Sequence, residues 1–280
     1  MKKILLFLIF AVYFVKLQYL SAQNTIQPSI VVWGFRTPFE FLCEATKQNG
    51  ASVIELLSQE KWEKAKQNKM QVLVANGADM GIERGFCNPD FHSQLQKRYM
   101  ELIPKAAENN IKMIICYSGI RQGITSEEAM KNCAEGLKPV VQLAEKHGIT
   151  ILMELISSNQ SKALWWQHTF PHYACDNILW GKTLVEKISS QNFKLLYDVW
   201  HMNDMRANIV DDIQKYHKYI AHYHISGKER KAISENDQID FPAVIKAIKN
   251  TGYNGFIGIE FLIEREIPES IKSAISLISK

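Results

Sequence analysis

The feature that most constrains this chain is an alternation. Apolar runs of strand length occur at Ser29–Phe35, Ser52–Leu56, Met70–Ala75, Met113–Tyr117, Thr150–Leu155, Lys194–Asp198, Ile220–Ile225 and Gly255–Phe261. Between them lie stretches whose apolar residues recur at helical spacing, among them Phe91–Asn109, Ser126–His147, Lys182–Ser190, Ile209–His217 and Pro242–Lys249. Ser126 with Glu128 suits a helix start, and Gly148 and Gly252 suit helix ends. Strands that alternate with helices need crossover connections, and hence a parallel sheet. Eight such units predict the α/β class and a single closed (β/α)8 TIM barrel, a fold of about 250 residues. An open doubly wound sheet is the alternative. It usually carries a glycine-rich phosphate loop after its first strand, and this chain has none there.

The first 22 residues are predicted to stand outside that fold. Lys2 and Lys3 precede the apolar run Ile4–Val15, and the small residues Ser21 and Ala22 follow. This is the layout of a cleaved signal peptide, and it predicts export to a periplasm or beyond. The run is shorter than the roughly 20 residues a membrane span requires. No cysteine follows it to carry a lipid, so no stable membrane anchor is expected. Residues 23–280 then form one domain, with no repeat, low-complexity tract or linker. The formal charge of the whole chain is +4. Lys2, Lys3 and Lys16 carry much of it, so the remaining domain is nearly neutral and no concentrated basic face points to a nucleic-acid partner. The sequence is compatible with a homo-oligomer. The cysteines, Cys43, Cys87, Cys116, Cys133 and Cys175, form no CxxC pair, which argues against a zinc cluster. Cys87 and Cys175 lie in loops and could bridge in an oxidising compartment.

Four consecutive strand patterns end on groups that a buried strand does not otherwise need. Thr150–Leu155 carries Glu154, LLYDVWHMN ends its strand on Asp198 with His201 just beyond, HYHISG carries His222 and His224, and GFIGIEF delivers Glu260. Each has an ordinary explanation: Asp198 can cap the following helix, and a strand histidine can be a satisfied core residue. In a barrel, however, active sites are built where the C-terminal ends of the strands converge. Two Glu, one Asp and one His there form an oxygen-rich set suited to Mn²⁺, Mg²⁺ or Co²⁺ better than to a thiolate-bound metal.

At these residues the chain resembles the xylose-isomerase-like TIM barrels, especially the hydroxypyruvate isomerase branch and the related ketose 3-epimerases. The resemblance is densest at ICYSGIRQG, NCAEGLKP, LMELISS, LLYDVWHMN, AHYHISG and IDFPAVIKAIKNTGYNGFIGIEF. It implies metal ligands at Glu154, Asp198, His224 and Glu260, with the two glutamates also serving as acid and base. It further implies that His201 contacts a substrate oxygen, that Arg230 or Lys231 stands in for the family arginine, and that Glu55, ending the second strand, is a further functional acid. Histidine at position 224 is the epimerase-like choice. Relatives follow the seventh strand with further polar residues where this chain has Ala232 and Ile233. Another family polar position, after Asp176, is Asn177.

The expected chemistry is isomerisation or epimerisation of a small sugar or hydroxy-keto acid through an enediolate, with a divalent metal at the substrate oxygens. Trp33, Phe35, Trp165, Trp166 and Trp200 are candidates to wall the pocket. Two other readings compete. One is a lyase or dehydratase acting on an oxidised sugar or glycoside. The other is a sugar-binding barrel that keeps its ligands without catalysis. The endonuclease branch of the same barrel needs additional histidine ligands and a DNA-binding face.

Overall fold

The computed structural model describes residues 26–159, 170–234, 237–263 and 265–279. The expected signal peptide and the pair Trp165 and Trp166 lie outside the described residues. The strands are β1 Gln27–Val31, β2 Val53–Glu55, β3 Gln71–Val72, β4 Val74–Ala75, β5 Met113–Cys116, β6 Thr150–Glu154, β7 Phe193–Asp198, β8 Ile220–Ile225 and β9 Phe256–Ile259. All neighbouring strands pair in parallel, in the order β3-β2-β1-β9-β8-β7-β6-β5-β4. β3 and β4 are two halves of one barrel strand broken at Leu73. β2 runs along both halves: Leu73 N donates to Ile54 O at 2.9 Å, and Leu56 N donates to Val74 O at 2.8 Å. The sheet therefore closes on itself, and the expected eight-stranded barrel is present.

The helices are α1 Phe39–Gln48, α2 Trp62–Gln67, α3 His92–Glu108, α4 Ser126–His147, α5 Ile178–Ile188, α6 Val199–Asp204, α7 Ile209–Tyr216, α8 Phe241–Asn250 and α9 Ile267–Ser279. α4 has the expected span, and its cap is Thr125, whose side chain accepts from Glu128 N at 3.1 Å. Gly148 ends it in the left-handed conformation, φ 63°. α5 begins earlier than the predicted Lys182, because Asn177 caps it by accepting from Trp180 N at 3.0 Å. Its first turn is too apolar to show helical periodicity. β1 is shorter than predicted. It gives way to a 3₁₀ turn, Val32–Gly34, and only glycine fits there: a Cβ on Gly34 would stand 2.0 Å from Phe261 O. The turn carries Trp33 over the barrel mouth.

Two apolar layers hold these elements. The larger lies between the helices and the outside of the barrel. The smaller fills the barrel's interior with Val31, Val53, Leu56, Leu73, Val74, Ile115, Leu152 and Leu196. Burying each of these side chains contributes about 1.5–3 kcal/mol. This inner layer sets the direction of the functional groups. Side chains two residues apart on a strand share a face, so Leu152 puts Glu154 inward, Leu196 puts Asp198 inward, and Val53 puts Glu55 inward. All five cysteines are free and buried, so Cys87 and Cys175 do not bridge. The Cys87 thiol instead donates to Ile120 O at 3.2 Å. Among the described residues, no helix is long and apolar enough to cross a membrane.

Candidate active site

The four expected ligands converge at the mouth formed by the strands' C-terminal ends. Glu154 and Asp198 close β6 and β7, His224 is the penultimate residue of β8, and Glu260 follows β9. Asp198 sits directly across from His224 in the register. One ligand atom from each of the four lies within 4.8 Å of the others, and all four residues are buried.

Asp198 uses its two oxygens for different tasks. Oδ1 caps α6, accepting from Trp200 N at 2.8 Å and His201 N at 3.2 Å. Oδ2 turns to the site and accepts from Arg230 Nη1 at 2.6 Å. Capping α6 thus occupies one oxygen and leaves the other facing the cluster.

Arg230 is the central cation of the arrangement. Its Nη1 also donates to Glu260 Oε2 at 2.7 Å, and its Nη2 donates to His201 Nε2 at 2.6 Å. The guanidinium lies over the Trp200 ring, 4.6 Å from its centroid. The backbone delivers it through two consecutive left-handed residues, Glu229 at φ 56° and Arg230 at φ 61°. Such a conformation costs about 1–2 kcal/mol per non-glycine residue, which the buried ion pairs offset. Of the two adjacent cations expected to reach substrate, only Arg230 enters the site. Lys231 is exposed at the surface, with its Nζ 2.7 Å from Glu229 Oε2.

The two glutamates have opposite surroundings. Burial, reinforced by the charges of Glu260 and Asp198, pushes the Glu154 carboxyl well above its usual range. Burial also acts against ionised Glu260, but Arg230 and His224 outweigh it and hold that carboxyl down at about 2. Trp33 Nε1 donates to Glu260 Oε1 at 2.8 Å. Burial and then the Arg230 charge lower His201 to about 3, so its Nε2 carries the lone pair that accepts from Arg230. For His224 burial works against the charged form, but the adjacent Glu55 and Glu260 carboxylates raise it well above the ordinary histidine range.

Glu154, Glu260, His201 and Arg230 line a cavity of about 430 Å³. Trp33, Leu56, Asn76, Ile82, Tyr117, Phe170 and Trp200 complete its wall. Phe35 is not part of it; its ring packs on Phe261, with centroids 6.4 Å apart. Asn76, Ile82, Tyr117 and Phe170 escaped the sequence reading. Asn76 alone carried a signal, as a polar residue at the end of a strand. Glu55 is fully buried and does not line this cavity. Asn177 serves as the cap of α5.

Gly258 lies beside His224 in the register. A Cβ there would stand 2.5 Å from both Glu55 Oε1 and His224 Cδ2. Gly258→Ala is expected to lower stability by about 1–3 kcal/mol through overpacking. A thermal melt checks this, and an unchanged midpoint would show that the floor is looser than these distances indicate.

Comparison with known proteins agrees with this architecture. The chain is 23 % identical to the hydroxypyruvate isomerase of Escherichia coli over 181 residues, 64 % of this chain and 67 % of that protein. It is 20 % identical to the D-psicose 3-epimerase of Ruminiclostridium cellulolyticum over 199 residues, 69 % of this chain and 64 % of that protein. Among solved structures, 3-keto-D-glucoside 4-epimerase from E. coli superposes with a TM-score of 0.70 at 15 % identity, covering 91 % of this chain and 98 % of its own. The family model for the xylose isomerase-like TIM barrel matches residues 34–280. The strand-end site, the closed barrel and this match together place the chain in the xylose isomerase-like TIM barrel family.

Proposed function

We propose that the protein is an isomerase or epimerase of a small keto-sugar or hydroxy-keto acid, working by proton transfer through an enediolate. The observation that carries this reading is the convergence of Glu154 and Glu260 on one cavity, with Asp198 and His224 completing the cluster beneath. Three carboxylates and an imidazole suit a hard divalent cation such as Mn²⁺, Mg²⁺ or Co²⁺. The environment of Glu154 supports the same view. Among the described residues, no side chain donates to its carboxyl, which leaves its oxygens available to a cation beside Asp198 and Glu260. A divalent cation held by these four residues would acidify the carbon next to a substrate carbonyl and stabilise the enediolate oxygens.

The chain's own groups divide the remaining work. Ionised Glu260, oriented by Trp33, accepts the substrate's α-proton. Glu154 returns a proton from its side of the cavity. Neutral His201 and the Arg230 cation orient substrate oxygens. Trp33, Tyr117, Phe170 and Trp200 exclude water, which strengthens each of these polar interactions.

The test is exchange of substrate protons with D₂O, using the protein with Mn²⁺ and a panel of ketoses, hydroxypyruvate and 3-keto-glycosides. Exchange that gives an isomer differing in mass from the substrate only by the incorporated deuterium supports the reading. Elimination to a lighter product would favour a lyase, and binding with no exchange on any compound would favour a binding barrel. His201→Ala is expected to raise KM about tenfold while kcat changes less, because it removes a substrate contact and no proton carrier. A kcat loss as large as that of a glutamate variant would assign His201 to proton transfer.

We also propose that the chain is exported and cleaved near Ala22, on the strength of the Lys2–Lys3 head, the short apolar run and the small residues after it. N-terminal sequencing of the protein from its host decides this, and a mature chain that still begins at Met1 would refute it.

A further inference from the structure

Below the cavity lies a second polar cluster, Ser29, Glu55 and His222, that the proposed chemistry leaves without a task. All three residues are fully buried. The Glu55 carboxylate takes three close contacts. Ser29 Oγ donates to its Oε1 at 2.5 Å, and the Nε2 atoms of His222 and His224 lie 2.7 and 3.0 Å from its Oε2. An ionised carboxylate only accepts, so both imidazoles carry a proton on Nε2. In His222 the other nitrogen, Nδ1, has no partner among the described residues. In His224 the other nitrogen, Nδ1, lies 3.2 Å from Glu260 Oε2, on the side where the cation ligands converge. Gly258 makes the room, since a side chain there would strike both the Glu55 carboxylate and the His224 ring.

We infer that Glu55, braced by Ser29 and His222, is a positioning residue that grips His224 by its Nε2–H and so aims Nδ1 at the cation site. The inference rests on the cation-binding reading of that site. With Nε2 held by Glu55, Nδ1 is the ring nitrogen that faces the converging ligands. Carboxylates that orient a ligating histidine in this way commonly change metal affinity 10–100-fold when removed. Glu55, His222 and His224 also have the composition of a metal site, with ligand atoms within 4.8 Å of one another. Two ring nitrogens crowded on one carboxylate oxygen instead describe a hydrogen-bonded network, and the count of bound ions separates the two.

The test uses the full chain with Zn²⁺ as a diamagnetic probe. Calorimetry of the wild type is expected to show one zinc per chain. Ring ¹H–¹⁵N spectra of the loaded protein should show His224 with its proton on Nε2 and a zinc-shifted Nδ1. Glu55→Gln should bind zinc about 10–100-fold more weakly, and Glu55→Asp should recover part of the loss. His222→Gln leaves the Glu55–His224 contact in place and should keep zinc affinity within a few-fold, which a general loosening of the floor would not allow. Should Glu55→Gln fail to fold, the wild-type spectrum decides the proposal alone. Unchanged zinc affinity in Glu55→Gln, or a loaded His224 carrying its proton on Nδ1, overturns the inference. Two zinc ions per chain overturn it in favour of a second metal site. A wild type that binds no zinc overturns the cation reading itself, before any variant is made.

Discussion

Glu260→Gln is expected to slow exchange of the substrate's α-proton with D₂O by at least about a hundredfold, the scale of one general base. The two oxygens of this side chain have different partners. Oε1 accepts from Trp33 Nε1, and Oε2 accepts from Arg230 and lies beside His224 Nδ1. Glutamine can keep the Trp33 bond through its carbonyl, so the side chain stays in place. Its amide then faces a guanidinium, and it has no site for a proton at any accessible pH. Substrate should still bind at saturating concentration, and the loss should fall on kcat. Glu154→Gln should act comparably, since each proton transfer needs its own carrier. If both glutamine variants turned over like the wild type on the true substrate, the acid and base would have to lie elsewhere on the cavity wall. Glu55 and His222 would not replace them, because both are fully buried and neither lines the cavity.

Asp198→Asn is expected to abolish divalent-cation binding by calorimetry while the barrel remains folded. Asn keeps an oxygen for the caps on Trp200 N and His201 N, so α6 retains its start. That requirement fixes the orientation of the amide, and its NH₂ must point at Arg230 Nη1. Breaking a buried ion pair in this way costs about 3–5 kcal/mol, which a denaturant titration would register. Asp198→Ala removes the cap as well and should cost about 1 kcal/mol more. Unchanged cation stoichiometry in both variants would count decisively against the four-residue site. A fold lost in both would show instead that the Asp198–Arg230 pair holds the barrel mouth together.

What could be read without the structure was whatever a local pattern decides. The alternation of strand and helix periods was enough for a closed parallel barrel, because short parallel strands need helical crossovers and eight of them close a sheet. The four convergent residues were legible for a related reason. Glu154, Asp198, His224 and Glu260 are polar groups at the ends of apolar runs, and strand alternation assigns them a common face. Asp198 looked ambiguous between cap and ligand only because a sequence records one residue and not its two oxygens.

The remaining features depend on where segments meet in space. Glu55 has the same sequence signature as Glu154, an acid ending a strand. Strands in a barrel are staggered around its axis, however, so their ends do not reach the same height. Glu55 stops low, against Ser29, His222 and His224, where it can hold a ring but not touch a substrate. Arg230 and Lys231 are adjacent cations that no local pattern distinguishes. Two left-handed residues turn one inward onto Asp198 and Glu260 and leave the other in water. Likewise, Asn76 and Ile82 follow β4, Tyr117 follows β5 and Phe170 precedes α5. Barrel closure alone brings them together, because the contacts that make them a wall join residues far apart in the chain.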